Sequence, residues 1–177
     1  MEKSKKKSLK LQIYDEIKDR IIRCEYLPGQ QLNEDLLCSQ FGSSRTPVRD
    51  ALSRLEQEGL VNIHAKRGVQ ITDVSISAVN ELFEVRMRIE PYAVRTYGSR
   101  QNDDVYAGFM RQFKKGVGSK AEFYALDNEF HRSFIANSGN RYLNMIYNMT
   151  ADQSARFRIL SGADERLEQT QEEHYRI

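Results

Sequence analysis
Two cysteines, Cys24 and Cys38, are all that this chain of 177 residues contains, too few and too far apart to form a zinc-ligand set by themselves. They read as small, partly buried hydrophobes in reduced form. No window approaches a long uncharged apolar run, which excludes a membrane span. The N-terminal stretch Met1-Glu-Lys-Ser-Lys-Lys-Lys7 has none of the apolar core of a secretory signal, so a cytoplasmic protein is expected. A Walker loop, a dinucleotide-binding glycine pattern, a nucleophile elbow and a His-Glu-x-x-His motif are all missing. Gly116-Val-Gly-Ser-Lys120 lacks both P-loop spacing and a preceding strand, and reads as a helix connector.

What the chain does have is enough apolar content, 40%, for one medium domain or two small ones. The net charge of +2 is small but unevenly spread: residues 1–72 carry +3 and residues 73–177 carry −1. Much of the excess comes from Lys3, Lys5, Lys6, Lys7 and Lys10, which suit either a flexible arm near phosphates or an ordinary solvated tail.

The stretch from Gly42 to Gly59 reads as a helix with two different faces. Val48, Ala51, Leu52 and Leu55 follow the i, i+3, i+4, i+7 spacing of a packing face, while Arg45, Arg49 and Ser53 form an i, i+4, i+8 line on another. Leu32, Leu36, Leu37 and Phe41 outline a shorter helix before it, and Gly42 allows the tight turn between them. Ahead of both, Ile13, Ile17 and Ile21, flanked by Tyr14 and Ile22, mark a first helix that ends before Pro28-Gly29. Downstream, Val61 and Ile63, then Val69 and Ile71, alternate with polar residues around a basic hairpin tip, Ala65-Lys-Arg-Gly68. Residues 9–72 therefore spell a winged helix-turn-helix of three helices and a two-stranded wing, with DNA as the expected acidic partner. Any single arginine is more often a solvating charge; DNA docking requires the guanidinium groups to stand bare and unpaired.

From Ser75 onward the pattern is helical, with breaks near residues 98–103, 116–119, 138–140 and 161–164, giving about five helices. Val79, Leu82, Phe83, Ile89 and Ala93 form a stripe that Arg86 shares. An unpaired guanidinium there is expensive to desolvate. Glu90, one turn on, is the simplest partner and the one the stripe favours; the alternative is a ligand carboxylate gripped by Arg86. Phe123, Leu126, Phe130 and Phe134 mark another core line. Beside it, Asp127 and His131 at i, i+4 can share a metal or simply hydrogen-bond to each other. His174 shares a helical line with Leu167, Gln171 and Ile177, so two of the three histidines can face the bundle interior. His64 lies in the wing, as a structural residue or a DNA-backbone contact.

These residues together resemble the GntR family of bacterial transcription regulators, in the branch with a FadR-type C-terminal (FCD) ligand domain. The likeness rests on Pro28-Gly-Gln-Gln-Leu-Asn-Glu34, on Phe41-Gly-Ser-Ser-Arg-Thr-Pro-Val-Arg-Asp-Ala-Leu52, on Leu55-Glu-Gln-Glu-Gly-Leu60 and on the wing Gly68-Val. In the second half it rests on Glu84-Val-Arg86 with Glu90, Asp127-Asn-Glu-Phe-His131 with Asn140, and Glu173-His174. The resemblance implies a mainly α protein: a DNA-binding domain over residues 1–73, then an all-helical effector-binding and dimerisation domain over 74–177, without the bundle's usual last helix. It implies a homodimer on a palindromic operator in double-stranded DNA, with Arg45, Thr46 and Arg49 entering the major groove and Gly68, between Lys66-Arg67 and Val69, approaching the minor groove. Asp35 stands where many members carry a basic DNA-contacting residue. Asp127, His131 and His174 match three of four metal ligands of the metal-binding members; a divalent metal, zinc or nickel, is the implied cofactor, and the fourth ligand would lie beyond Ile177.

The expected function is a transcription regulator, a repressor released when a small organic acid binds beside Arg86 and the metal. Two rivals remain: a metal-dependent hydrolase using Asp127, His131 and His174, and a helical dimerisation module whose Asp127 and His131 are merely hydrogen-bonded.

Overall fold
A computed structural model describes residues 8–65, 67–116 and 120–161. The chain divides into two compact units at Ser75–Ile76. The order of elements is α1 (Leu9–Ile22), β1 (Gln31–Leu32), α2 (Glu34–Phe41), α3 (Arg45–Gln57), β2 (Val61–His64), β3 (Gly68–Ile71), α4 (Ile76–Tyr97), a 3-10 turn at Gly98–Arg100, α5 (Asp103–Lys115), α6 (Lys120–Ala136) and α7 (Arg141–Ser161).

In the first unit, α1 contributes Ile13, Ile17 and Ile21, each 0% exposed, to a core shared with Val48, Ala51, Leu52 and Leu55 of α3. Truncating one of these, Leu52→Ala for instance, costs about 2–5 kcal/mol through lost burial and the cavity left behind. The helix stops at Ile22, well short of Pro28, because Cys24 adopts a left-handed conformation (φ 57°). The Arg20 carbonyl then accepts from the amides of Glu25 (2.9 Å) and Tyr26 (3.2 Å), which closes the helix end.

Leu32 belongs to a strand, not to the second helix. It pairs with Val69, and Asn33 immediately caps α2, its side chain accepting from the amides of Asp35 (2.8 Å) and Leu36 (3.2 Å). Gly42 closes α2 in the left-handed region (φ 56°, ψ 39°), the conformation that sharp turn needs. Pro47 falls in the first turn of α3, where an amide would lack an intrahelical partner anyway.

The wing is a three-stranded antiparallel sheet in the order β1-β3-β2, one strand more than the sequence pattern suggests. Its hairpin pairs Val61 with Ile71 and His64 with Gly68. Val61, Val69 and Ile71 are buried against the helices, while Ile63 stays on the open face.

The second unit is helical among the described residues. Its core is an aromatic cluster in which Phe130 meets Phe134 (ring centroids 5.0 Å), Phe109 (5.4 Å) and Phe113 (5.5 Å) edge to face. Phe123, Leu126, Phe130 and Phe134 are all buried on α6, as their spacing predicts. Asn102 and Asn140 cap α5 and α7 by accepting from the amides of Asp104 (2.8 Å) and Tyr142 (2.9 Å). The breaks expected near residues 98–103 and 138–140 fall where helices end, and α5 closes at Lys115, just before the break expected at 116–119; residues 162–164 of the last expected break, and the fifth helix after it, lie outside the described residues.

Candidate nucleic-acid interface and buried polar cluster
Helix α3 separates its two faces as the spacing requires. Val48, Ala51, Leu52 and Leu55 are buried, and Arg45, Thr46, Arg49 and Ser53 are exposed. The expectation of bare, unpaired guanidinium groups is corrected, however. Arg45 is 63% exposed yet donates from Nε to Asp35 Oδ1 (3.0 Å), with Nη2 at 2.9 Å from the same oxygen. Arg49, 64% exposed, donates from Nε to Glu34 Oε2 (2.7 Å). The cause is local: the Asn33 cap puts Glu34 and Asp35 in the first turn of α2, where the helix dipole favours carboxylates, and the Gly42 turn brings the start of α3 beside them. Hydrogen bonding to Asp35 raises the pKa of Arg45 further above its ordinary value. Ion pairs this exposed add little to stability, and the single contact of Arg49 can pass to another anion.

A cleft of about 500 Å³ runs from this pair of turns to the wing, lined by Glu34, Asp35, Arg45, Arg49, Arg67 and Gly68 among others. Arg67 is exposed, and Gly68 takes φ 83° at the first position of β3. A Cβ there would sit 3.7 Å from the Leu32 carbonyl oxygen, an ordinary contact, so the backbone angle and not crowding calls for glycine. Lys66 lies outside the described residues. His64 is exposed at the end of β2.

On the far side of α3, Tyr14 donates to Glu58 (2.7 Å), Lys18 reaches Glu58 at 2.7 Å, and Arg54 stacks on the Tyr14 ring (3.8 Å). Burial alone would raise the Glu58 carboxyl pKa, but hydrogen bonds from Lys18 and Tyr14 outweigh it and hold the group below its ordinary value.

The second unit buries charge. Arg86, 4% exposed, donates from Nε to Glu90 (2.5 Å), the partner its stripe favours, and from Nη1 to Ser154 Oγ of α7 (2.5 Å). His131 lies between two carboxylates: Nδ1 is 3.4 Å from Glu90 Oε2 and Nε2 is 3.6 Å from Asp127 Oδ1. Asp127, 0% exposed, takes an ion pair from Arg158 Nη1 on its other oxygen. Burial raises the pKa of the neighbouring Tyr147 hydroxyl well above its usual range, with Arg86 opposing the shift.

Asp127 and His131 are thus brought together, but the described residues do not fit the implied metal. A divalent ion on Asp127 would have to share that carboxylate with the Arg158 guanidinium, whose charge repels it. Among the described residues no group of three or more His, Cys, Asp or Glu side chains is arranged to hold a metal ion. His174 lies outside them.

Ser154 and Arg158 escaped the sequence pattern, although a signal was present. Tyr147, Ala151, Ser154 and Arg158 recur at helical spacing on α7, so the polar pair shares a face with a fully buried tyrosine. Arg156, 0% exposed and bonded to Gln153 (3.0 Å), gave no such warning. The pairing of Asp35 with Arg45 spans ten residues across a turn, beyond any helical period.

Comparison with known proteins bears on both units. The family described as bacterial regulatory proteins, gntR family, matches residues 9–71, and the FCD domain matches residues 81–177. The chain is 29% identical to the HTH-type transcriptional regulator YdhC of Bacillus subtilis, over 94% of this chain and 78% of that protein. It is 27% identical to the HTH-type transcriptional repressor GlaR of Escherichia coli, over 83% of this chain and 71% of that protein. Among solved structures, E. coli McbR/YncC shares the fold with a TM-score of 0.73 at 21% identity, covering 94% of this chain and 82% of that one.

Proposed function
Because this chain belongs to the gntR family of bacterial DNA-binding transcriptional regulators and carries an FCD domain, we propose that it is a repressor of the FadR-type branch that leaves its operator when a small organic acid binds the helical unit. Domain boundaries near Asp73 follow from the two roles. In this proposal Arg45, Thr46 and Arg49 enter the major groove, where the arginine fork suits the guanine edge. Lys66, Arg67 and Gly68 bring the wing to the adjacent backbone and minor groove. The observation that carries it is the placement of two exposed arginines one turn apart on α3, facing one cleft with Arg67 and Gly68.

Two protomers reading a palindrome make half-site spacing the quantity an effector can change. Arg86 is the proposed carboxylate anchor: an incoming acid exchanges for Glu90 or Ser154 on a guanidinium already desolvated. Repression is favoured by the similarity to GlaR, a named repressor. A place of work in the cytoplasm, beside the chromosome, accords with the finding that no helix among the described residues is long and apolar enough to cross a membrane. No step is assigned to a metal, since Arg158 holds Asp127.

The test is binding by fluorescence anisotropy to a duplex recovered from a randomised library by the wild-type chain. Arg49→Ala is expected to weaken that binding about tenfold or more, at roughly 1–3 kcal/mol per good base contact, with the thermal melt unchanged. Binding equal to wild type would remove Arg49 from the interface. For the effector, a panel of small carboxylates should include at least one that releases the duplex from the wild-type chain and not from Arg86→Met; release from both would refute the anchor.

A further inference from the structure
We propose that Asp35 is a positioning residue for DNA reading: it holds the Arg45 fork in one orientation and, by its charge, trades phosphate-driven affinity for sequence discrimination. The inference rests on the DNA-reading role of Arg45 proposed above. Two donors on the same edge of Arg45, Nε and Nη2, converge on Asp35 Oδ1 at 3.0 and 2.9 Å. With that edge engaged, the Nη1–Nη2 end is the one left to meet a base. A guanidinium already fixed loses less rotamer freedom when it reaches a guanine edge. Asp35 is itself well placed to hold it, because its backbone amide is bound by the Asn33 cap at 2.8 Å and its carboxylate sits in the favourable first turn of α2.

Its second effect is electrostatic. The carboxylate is 66% exposed and lines the same cleft as Arg45, Arg49 and Arg67. Sequence-independent binding depends on cations neutralising phosphates, so a fixed anion among those cations weakens it on every duplex. Base contacts through a pre-oriented Arg45 gain only on the right sequence. The ratio of specific to non-specific affinity rises as a result. An ordinary exposed ion pair would do neither, contributing only a little to stability.

The experiment measures binding of wild type, Asp35→Ala, Arg45→Ala and the double variant to the library-selected duplex and to a shuffled duplex of the same composition, over a range of salt. Asp35→Ala is expected to bind the shuffled duplex more tightly, by on the order of fivefold, with a salt slope steeper by about one. Its ratio of selected to shuffled affinity should fall about tenfold, and that fall should vanish when Arg45 is already alanine. Asp35→Asn, which keeps an acceptor oxygen without the charge, should recover part of the ratio while keeping the steeper slope. Equal gains on both duplexes would overturn the proposal, as would a fall in ratio that persists without Arg45. If Arg45→Ala alone binds the selected duplex as wild type does, the DNA-reading role of Arg45 fails and this inference with it. A loss in Arg45→Ala beside an unchanged ratio in Asp35→Ala overturns this inference alone.

Discussion
Arg49 and Arg86 both take a glutamate as partner, at 2.7 Å and 2.5 Å, yet one side chain is 64% exposed and the other 4%. The chemistry of the pair is the same and the surrounding dielectric is not. In water the attraction between Arg49 and Glu34 is largely screened, so another anion can replace the glutamate at little cost. Around Arg86 each partner is needed, because a buried charge left alone costs far more than the pair contributes. Arg49 therefore displays charge that can change hands in water, whereas Arg86 gives up a partner only when another anion takes its place.

The largest way to break this contrast is Glu90→Ala, which takes the carboxylate from the buried Arg86 guanidinium and is expected to destabilise the second unit by about 3–5 kcal/mol. Thermal or denaturant unfolding checks it, and a loss no greater than that of a surface variant would erase the distinction. Next, Arg158→Ala should release Asp127 for a cation and raise zinc affinity about tenfold or more over wild type, as measured by calorimetry; equal affinities would mean that the guanidinium does not exclude metal.

Smaller still is the half-buried trio of Tyr14, Lys18 and Glu58. The folded-state pKa of Glu58 lies below its ordinary value of 4.5. Its stabilisation is accordingly full above that value and lost as pH falls through the folded pKa. Glu58→Gln should flatten the acid limb of a stability-against-pH curve, and an unchanged limb would show that the trio contributes nothing there. The smallest effect belongs to Glu34→Ala, which should move stability by only about 0.2–1 kcal/mol while leaving Arg49 available to DNA. A larger loss would place that pair with the buried ones.

Much of this was legible in the sequence, and the failures have physical causes. Helix α3 was plain because the spacing of Val48, Ala51, Leu52 and Leu55 leaves no other periodicity. Strand β1 was hidden because Leu32 lies four residues before Leu36 and so imitates a helical stripe; Leu36 in fact is 69% exposed. The end of α1 before Pro28 was legible, but its last residue was not, because Cys24 takes a backbone conformation that side-chain identity rarely announces. In the second unit the i, i+4 relation of Asp127 and His131 was visible, whereas Arg158 arrives from another helix, 31 residues away. Local periodicity carries information about faces; it carries none about which charge from elsewhere will come to rest on them.

The two-residue strand at Gln31–Leu32 leaves the segment between Pro28 and Asn33 with no slack. Gly29 and Gln30 already bond to Ile71 across the sheet, and the very next residue after the strand caps α2. Deleting or inserting one residue here would turn Leu32 from core to solvent and swing the opening turn of α2 away from the wing.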